Sequence, residues 1–231
     1  MDNIGSLAGK VKRPFVFFEW TPSLAYVLGM YLGDGRVDST KQWFQVTSID
    51  KDSLIYLREQ ASTFLNDLKE VKTKQWGCSK KPIHVFRIAS VQFCNWLLEV
   101  TKNKTIVPIP NEKCDITKSF LEGYLDAKGW VAISKKVYNS RQGIHHRFHM
   151  GFAGTDLWVD YIADLLCKQG VLVGKRQYCQ IRKNWQKCIM YGINIKSFVN
   201  SGMKFHSARK QNRIDLYLKE QGLLTSTETV C

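Results

Sequence analysis

Two glycine-bearing helical stretches, 94 positions apart, constrain this chain more than any other feature. "VLGMYLGDG" covers residues 27–35 and "LEGYLDAKG" covers 121–129, so Gly29 corresponds to Gly123 and Gly35 to Gly129. Both read as buried helices, yet a glycine inside a helix costs about 1 kcal/mol relative to alanine. Positions three or four apart share a helix face. Gly29 and Gly33 therefore lie on one stripe, and Gly123 and Ala127 on the matching stripe of the second helix. Small residues on facing stripes let two backbones approach closely, so these helices are expected to pack together as the interface between two halves of the chain. Gly35 and Gly129 are expected to end them in the left-handed conformation. The last helical residue is then Asp34 in one helix and Lys128 in the other, side by side at the lower end of the pair. A carboxylate at the negative end of a helix dipole is unfavourable. A divalent cation would relieve it, so the layout reads as a metal site.

The segments downstream of the two helices repeat as well. After the first, 41–49 alternates like a strand, 51–68 has helical periodicity, 72–90 reads as a hairpin turning at Gly77–Pro82, and 91–102 reads as a helix. After the second, strands are expected at 130–139, 146–154, 172–182 and 185–194, with helices at 156–169, near 195–202 and at 207–221. Each half is therefore an αββαββα unit, and the class is α+β. The expected division is 1–103, a linker at 104–116 carrying Pro108 and Pro110, and 117–231, with Thr117 as the N-cap of the second motif helix.

Composition narrows the partners. Of 231 residues, 34 are Lys or Arg and 20 Asp or Glu, a net charge of +14 that calls for a polyanion, most simply nucleic acid. A hydrophobic share of 44% excludes a disordered chain. The seven cysteines are odd in number and form no C-x-x-C, as expected of reduced thiols. No apolar run reaches the roughly 18 residues of a membrane span, and no secretory signal is visible. A soluble, intracellular protein with no membrane partner is expected.

On its two motifs and the order of its elements, the chain resembles the monomeric, two-motif LAGLIDADG homing endonucleases. The resemblance implies a pseudo-twofold pair of αββαββα units whose motif helices pack at the centre, with two antiparallel four-stranded sheets forming a DNA-binding saddle. It implies a monomer that hydrolyses both strands of a long, asymmetric double-stranded DNA site. The acid at the eighth motif position of each helix would bind Mg²⁺, or another divalent cation such as Mn²⁺ or Ca²⁺. By that rule Asp34 carries over, with Gly33 and Ala127 beside it at the expected metal position. Lys128 departs from the pattern: an ammonium cannot ligate Mg²⁺, and replacing a carboxylate with it changes the local charge by two units. Three explanations stand open: a disabling substitution that leaves DNA bound and uncut, a nickase working through Asp34 alone, or a protein that has lost cleavage and kept binding. The Lys128 ammonium could itself sit where a metal would and partly neutralise a phosphate. Asp126, about 200° round the helix from Lys128, is expected to face elsewhere as a structural or surface acid. "KNKT" (102–105) and "HSARKQNR" (206–213) resemble the family's basic segments near the scissile phosphates. They carry over Lys104 and Lys210 as catalytic candidates, with Arg209 or Lys204 as alternatives to Lys210. Because some relatives are intron-encoded maturases, intron RNA is a rival partner, and a catalytically inactive DNA-binding protein is a rival function.

A strand lining a DNA groove alternates core residues with long polar readers. In the first half the candidates are Lys41, Trp43, Gln45, Thr47, Lys72, Lys74, Trp76, Lys80, Lys81, His84 and Arg87. In the second they are Ser134, Lys136, Tyr138, Arg141, Gln142, His145, Arg147 and His149, then Arg176, Tyr178, Gln180, Arg182, Lys183, Trp185 and Lys187. Arg and Lys can address guanine edges or phosphates, and Gln adenine. The histidine group 145, 146 and 149 has no nearby cysteine or acid to complete a zinc site, so it is expected to face DNA or solvent.

Overall fold

The computed structural model describes residues 18–75, 82–105, 114–137, 144–154, 156–180 and 187–223. The first half runs α1 (Pro22–Asp34), β1 (Arg36–Val37), β2 (Phe44–Ser48), α2 (Lys51–Ser62), β3 (Lys72–Lys74), β4 (Ile83–Ile88) and α3 (Val91–Val100). The second runs α4 (Cys114–Lys128), β5 (Gly129–Val137), β6 (Ile144–Gly154), α5 (Asp156–Lys168), β7 (Gln177–Gln180), β8 (Lys187–Ile193), α6 (Ile195–Asn200) and α7 (Ala208–Glu220). Each half builds one antiparallel four-stranded sheet, ordered β1-β2-β4-β3 and β5-β6-β8-β7. The class is α+β, with two such units in one chain.

The sequence of α1 explains its central place. Thr21 caps it by accepting the Leu24 N–H at 3.1 Å, and Pro22 opens it with a φ already suited to a helix. Every residue from Leu24 to Leu32 is buried, so the helix is covered on all sides. Its main partner is α4. A Cβ added at Gly29 would overlap the Phe120 carbonyl oxygen, one at Gly123 the Tyr26 carbonyl oxygen, and one at Gly33 the Ala127 methyl. The small-residue stripes are thus the contact between the two helix backbones, as expected from their spacing.

Several local expectations are corrected. Gly35 is not left-handed: its φ is −74° and ψ 154°, and Gly129 is the first residue of β5. Glycine is needed there for space. A Cβ at Gly35 would lie 2.6 Å from Phe44 Cε2 and from Tyr31 Cα, and one at Gly129 would lie 2.5 Å from the Leu125 carbonyl oxygen. Thr117 is no N-cap, because α4 starts at Cys114 and Thr117 is buried within it. α2 stops at Ser62 rather than 68, and within the described part of the strand expected over 172–182 the structure has β7 and an isolated Val173–Ile193 bridge. β1 is an addition to the expected elements. Cys188 is disulfide-bonded rather than a reduced thiol, whereas Cys94 and Cys167 are free. Among the described residues no helix is long and apolar enough to cross a membrane. The expected turn at 77–81 and the linker prolines lie outside the described residues.

Candidate nucleic-acid interface and its centre

α1 and α4 end beside one another. Gly35 N–H bonds the Met30 and Tyr31 carbonyls at 3.1 Å each and stops α1, leaving Asp34 at its C-terminus. Lys128 ends α4, and its Nζ donates to Asp34 Oδ1 at 2.5 Å. The ammonium thus serves two needs: it suits the negative end of its own helix and neutralises the acid at the end of the neighbouring one. The side chains are 37% and 36% exposed, so the pair by itself adds no more than about 1 kcal/mol to stability.

Two further lysines close on the same ends. Lys104 Nζ donates to the Gly35 carbonyl at 2.5 Å and stands 4.6 Å from the centre of the Tyr31 ring. It is delivered by an unusual turn in which Lys102, Asn103 and Lys104 all have positive φ (43°, 55° and 66°). Each left-handed non-glycine residue costs roughly 1–2 kcal/mol. The turn is held by Asn103 N–H on the Leu98 carbonyl (2.8 Å) and Thr105 N–H on the Thr101 carbonyl (2.9 Å). Lys210, on α7, donates to the Leu125 and Asp126 carbonyls at 3.1 and 2.6 Å. Burial is the main cause that lowers both ammonium groups to about 8; for Lys104 the nearby Lys128 charge adds to it, while for Lys210 the Asp126 and Asp50 charges work against it. Of the alternatives to Lys210, Arg209 is committed to Asp50 through Nε and Nη2 at 2.7 and 2.9 Å, and Lys204 is exposed.

Asp126 turns away from this centre. Its carboxylate accepts the Tyr26 hydroxyl at 2.8 Å and the backbone N–H groups of His206 and Ser207 at 3.0 and 3.2 Å, and burial raises its pKa. With the Arg209–Asp50 pair and the Ala208 N–H on Asp52 (2.9 Å), it ties α1 and the start of α2 to the first turn of α7 and the residues just before it. Beside the helix ends, a cleft of about 340 Å³ is lined by Asp34, Thr47, Asp50, Ala127, Arg209 and Lys210, among others.

Register places the expected readers. In antiparallel pairs, directly opposed residues share a face. Arg36, Gln45 and Arg87 form one row across β1, β2 and β4, and Thr47, Val85 and Lys72 a second across β2, β4 and β3, with Lys74 opposite Ile83. The other face carries Phe44, Val46 and Phe86, all buried, and packs on the helices. Trp43 lies over the first row, and Lys41 is exposed in the turn before it, with φ 56°. His84 is a correction: it shares the core face with Phe44 and Phe86, is 9% exposed, and bonds Thr73 at 3.0 Å. In the second sheet Val131, Met150 and Phe152 are buried, so Ser134, Arg147 and His149 share the opposite face. His146 lies on the helix side, bonded to Glu220. Tyr178, 67% exposed, and Arg176 are turned toward the helix side of the second sheet. Tyr178 opposes the core residue Ile189, and Arg176 packs on its ring and pairs with Asp160 of α5 at 3.4 Å. Trp76, Lys80, Lys81, Tyr138, Arg141, Gln142, Arg182, Lys183 and Trp185 lie outside the described residues, as do the side chains of Lys136, His145, Gln180 and Lys187. Arg36 escapes a reading by periodicity because a two-residue strand leaves no periodic signal; its place directly after the motif glycine is the available clue.

No protein-family model matches the chain, and no curated protein is similar to it. Solved structures are. The chain is similar to the I-SmaMI LAGLIDADG homing endonuclease bound to cleaved DNA, at 16% identity and a TM-score of 0.52 over 90% of this chain and 93% of that one. It is similar to I-SmaMI bound to uncleaved target DNA in the presence of calcium ions, at 16% identity and 0.50 over 90% and 95%. A variant of I-DmoI in complex with its target DNA, nicked in the coding strand and in the presence of manganese, aligns at 12% identity and 0.50 over 78% and 94%. At these identities the likeness defines the fold. This is the two-unit fold of the monomeric LAGLIDADG homing endonucleases.

The resemblance to that family implies a divalent cation between the motif-helix ends. The donors present do not fit one. Asp34 is the single acid at the two end positions and is engaged by Lys128; Asp126 is spent on backbone N–H groups; Gly33 and Ala127 fill the helix contact. Among the described residues no group of three His, Cys, Asp or Glu side chains could hold a metal ion.

Proposed function

We propose that this chain recognises a long, asymmetric double-stranded DNA site through its two sheet faces and does not cut both strands, because Lys128 takes the place of the second acid. The observation that carries this reading is the Lys128 ammonium on the Asp34 carboxylate at 2.5 Å, at the meeting point of α1 and α4. One carboxylate faces three ammonium groups there, a balance that attracts phosphates and leaves a cation without the oxygen ligands Mg²⁺ requires. The +14 charge and the Arg and Lys side chains on the faces turned from the helices support duplex binding. The proposed division into units at 1–103 and 117–231 leaves one sheet in each, while α4 reaches back to Cys114, inside the expected linker. DNA cleavage, the activity named for I-SmaMI bound to cleaved DNA, is on this account the chemistry the scaffold once performed.

The test is selection of bound duplexes from a randomised pool, followed by incubation of the enriched DNA with the protein and Mg²⁺ or Mn²⁺. A discrete consensus whose two strands are not both cut is expected, and structured RNA should compete poorly. Failure to enrich any duplex, or cleavage of both strands, would overturn the proposal.

A further inference from the structure

One row on the first sheet differs from its neighbours. Arg87 donates from Nη2 to Gln45 Oε1 at 2.8 Å, and its guanidinium lies 4.1 Å from the centre of the Trp43 indole. Arg36, next in the row, lies 6.0 Å from the same ring. Gln45 is only 4% exposed, whereas Arg87 is exposed, so the glutamine supports the arginine and does not itself read DNA. The backbone that carries Trp43 is fixed in turn: the main-chain N–H groups of Trp43 and Gln42 each donate to Asp38 Oδ1 at 2.8 Å. The adjoining rows are built otherwise. Their cations, Lys72 and Lys74, are exposed on the edge strand β3.

An ammonium on a free stem is a mobile point charge that suits a phosphate; a planar guanidinium held on an aromatic face keeps its fork in one orientation. Held in that way it loses little freedom on meeting a flat, bidentate acceptor. Guanine O6 and N7 in the major groove are such an acceptor. β2 and β4 are the inner strands of the sheet, so the row lies in the middle of the face, where a groove floor rather than its flanking backbones would be met. We infer that Arg87 reads a guanine in the half-site taken by the first sheet, with Trp43 and Gln45 as positioning residues. This inference rests on the proposal that the chain binds duplex DNA.

The experiment is selection from a randomised duplex pool with the wild type, Arg87→Lys, Arg87→Ala and Trp43→Leu, each checked for folding by thermal melting, with affinities read at several salt concentrations. The wild-type consensus should contain one near-invariant guanine. Arg87→Lys keeps the charge but should bind that consensus roughly 5- to 150-fold more weakly and lose the preference at that position alone. Arg87→Ala should lose the same preference, and Trp43→Leu should blur it. If the arginine variants keep the guanine, weaken all sequences alike and reduce the salt slope by about one, Arg87 is a phosphate anchor and the inference fails. If the wild type enriches no consensus, the DNA-binding proposal itself fails, which is a different result.

Discussion

At the lower end of α1 stand Asp34 and the Gly35 carbonyl, with Lys104 bonded to the latter; at the lower end of α4 stand Lys128 and the Leu125 and Asp126 carbonyls, with Lys210 bonded to both. The scaffolds match: close glycine contacts, a carbonyl-capping lysine and a four-stranded sheet on each side. The chemistry does not. With the 94-position offset between the motifs, Asp34 corresponds to Lys128, and the apolar Leu32 corresponds to Asp126. The second helix does carry a carboxylate near its end, but one turned inward to join the halves rather than outward to the centre. The two lysines also arrive by different routes, one on a strained left-handed turn and the other from a regular helix N-capped by Ser207. The twofold geometry therefore does not depend on a matched pair of acids.

If the scaffold is twofold, Gly29 and Gly123 must matter alike. Gly29→Ala and Gly123→Ala each drive a methyl into a backbone carbonyl that cannot rotate away. Each should lose about 3 kcal/mol or more, at the upper end of overpacking, as read by denaturant unfolding. A large effect at one glycine and none at the other would contradict the equivalence. Next is the inward acid. Asp126→Ala leaves the N–H groups of His206 and Ser207 and the hydroxyl of Tyr26 without their acceptor. A loss of about 3 kcal/mol is expected, and Asp126→Asn should lose less. An alanine variant as stable as the wild type would mean the halves are joined by other contacts.

The third prediction is smaller and concerns pH. Burial lowers Lys210 from the usual 10.5 to about 8. Between these values the unfolded chain holds a proton the folded chain has released, so Lys210 adds stability as pH rises through this window; that contribution is full above 10.5 and lost as pH falls through 8. Cys94, raised by burial to about 12, works in the opposite direction from about pH 9 upward in any variant, so the comparison with Lys210→Met removes it. From pH 8 to 9 the wild type should gain on the order of 1 kcal/mol relative to Lys210→Met. Parallel pH profiles would show that the lysine keeps an ordinary affinity for its proton.

The helix pair was legible because small residues at four-residue spacing have few other uses inside an apolar helix. The same glycines misled at the caps, since a sequence does not distinguish a glycine chosen for positive φ from one chosen because Phe44 or the Leu125 carbonyl leaves no room for a side chain. The face turned from the helices was legible where strands alternate cleanly, as in β2 and β6. It was not in β4, where Ile83, Val85 and Phe86 put apolar residues on both faces and left His84 without a clear side. Edge strand β7 is four residues long, too short for its parity to fix Tyr178, and Arg176 lies just before it. Among candidates for the second basic residue, only packing separated Lys210 from Arg209, because the Asp50 that claims Arg209 lies 159 positions away.

On the proposed function, one side chain at the junction of α1 and α4 decides the chemistry of the centre. Lys128→Glu should be assayed for linearisation of a plasmid carrying the selected site, in Mg²⁺, beside the wild type and beside Lys128→Glu combined with Asp34→Asn. Linear product from Lys128→Glu alone, absent in the wild type and abolished by the second substitution, is the predicted result. Linearisation by the wild type at the rate of Lys128→Glu would contradict the claim that this lysine silences double-strand cleavage.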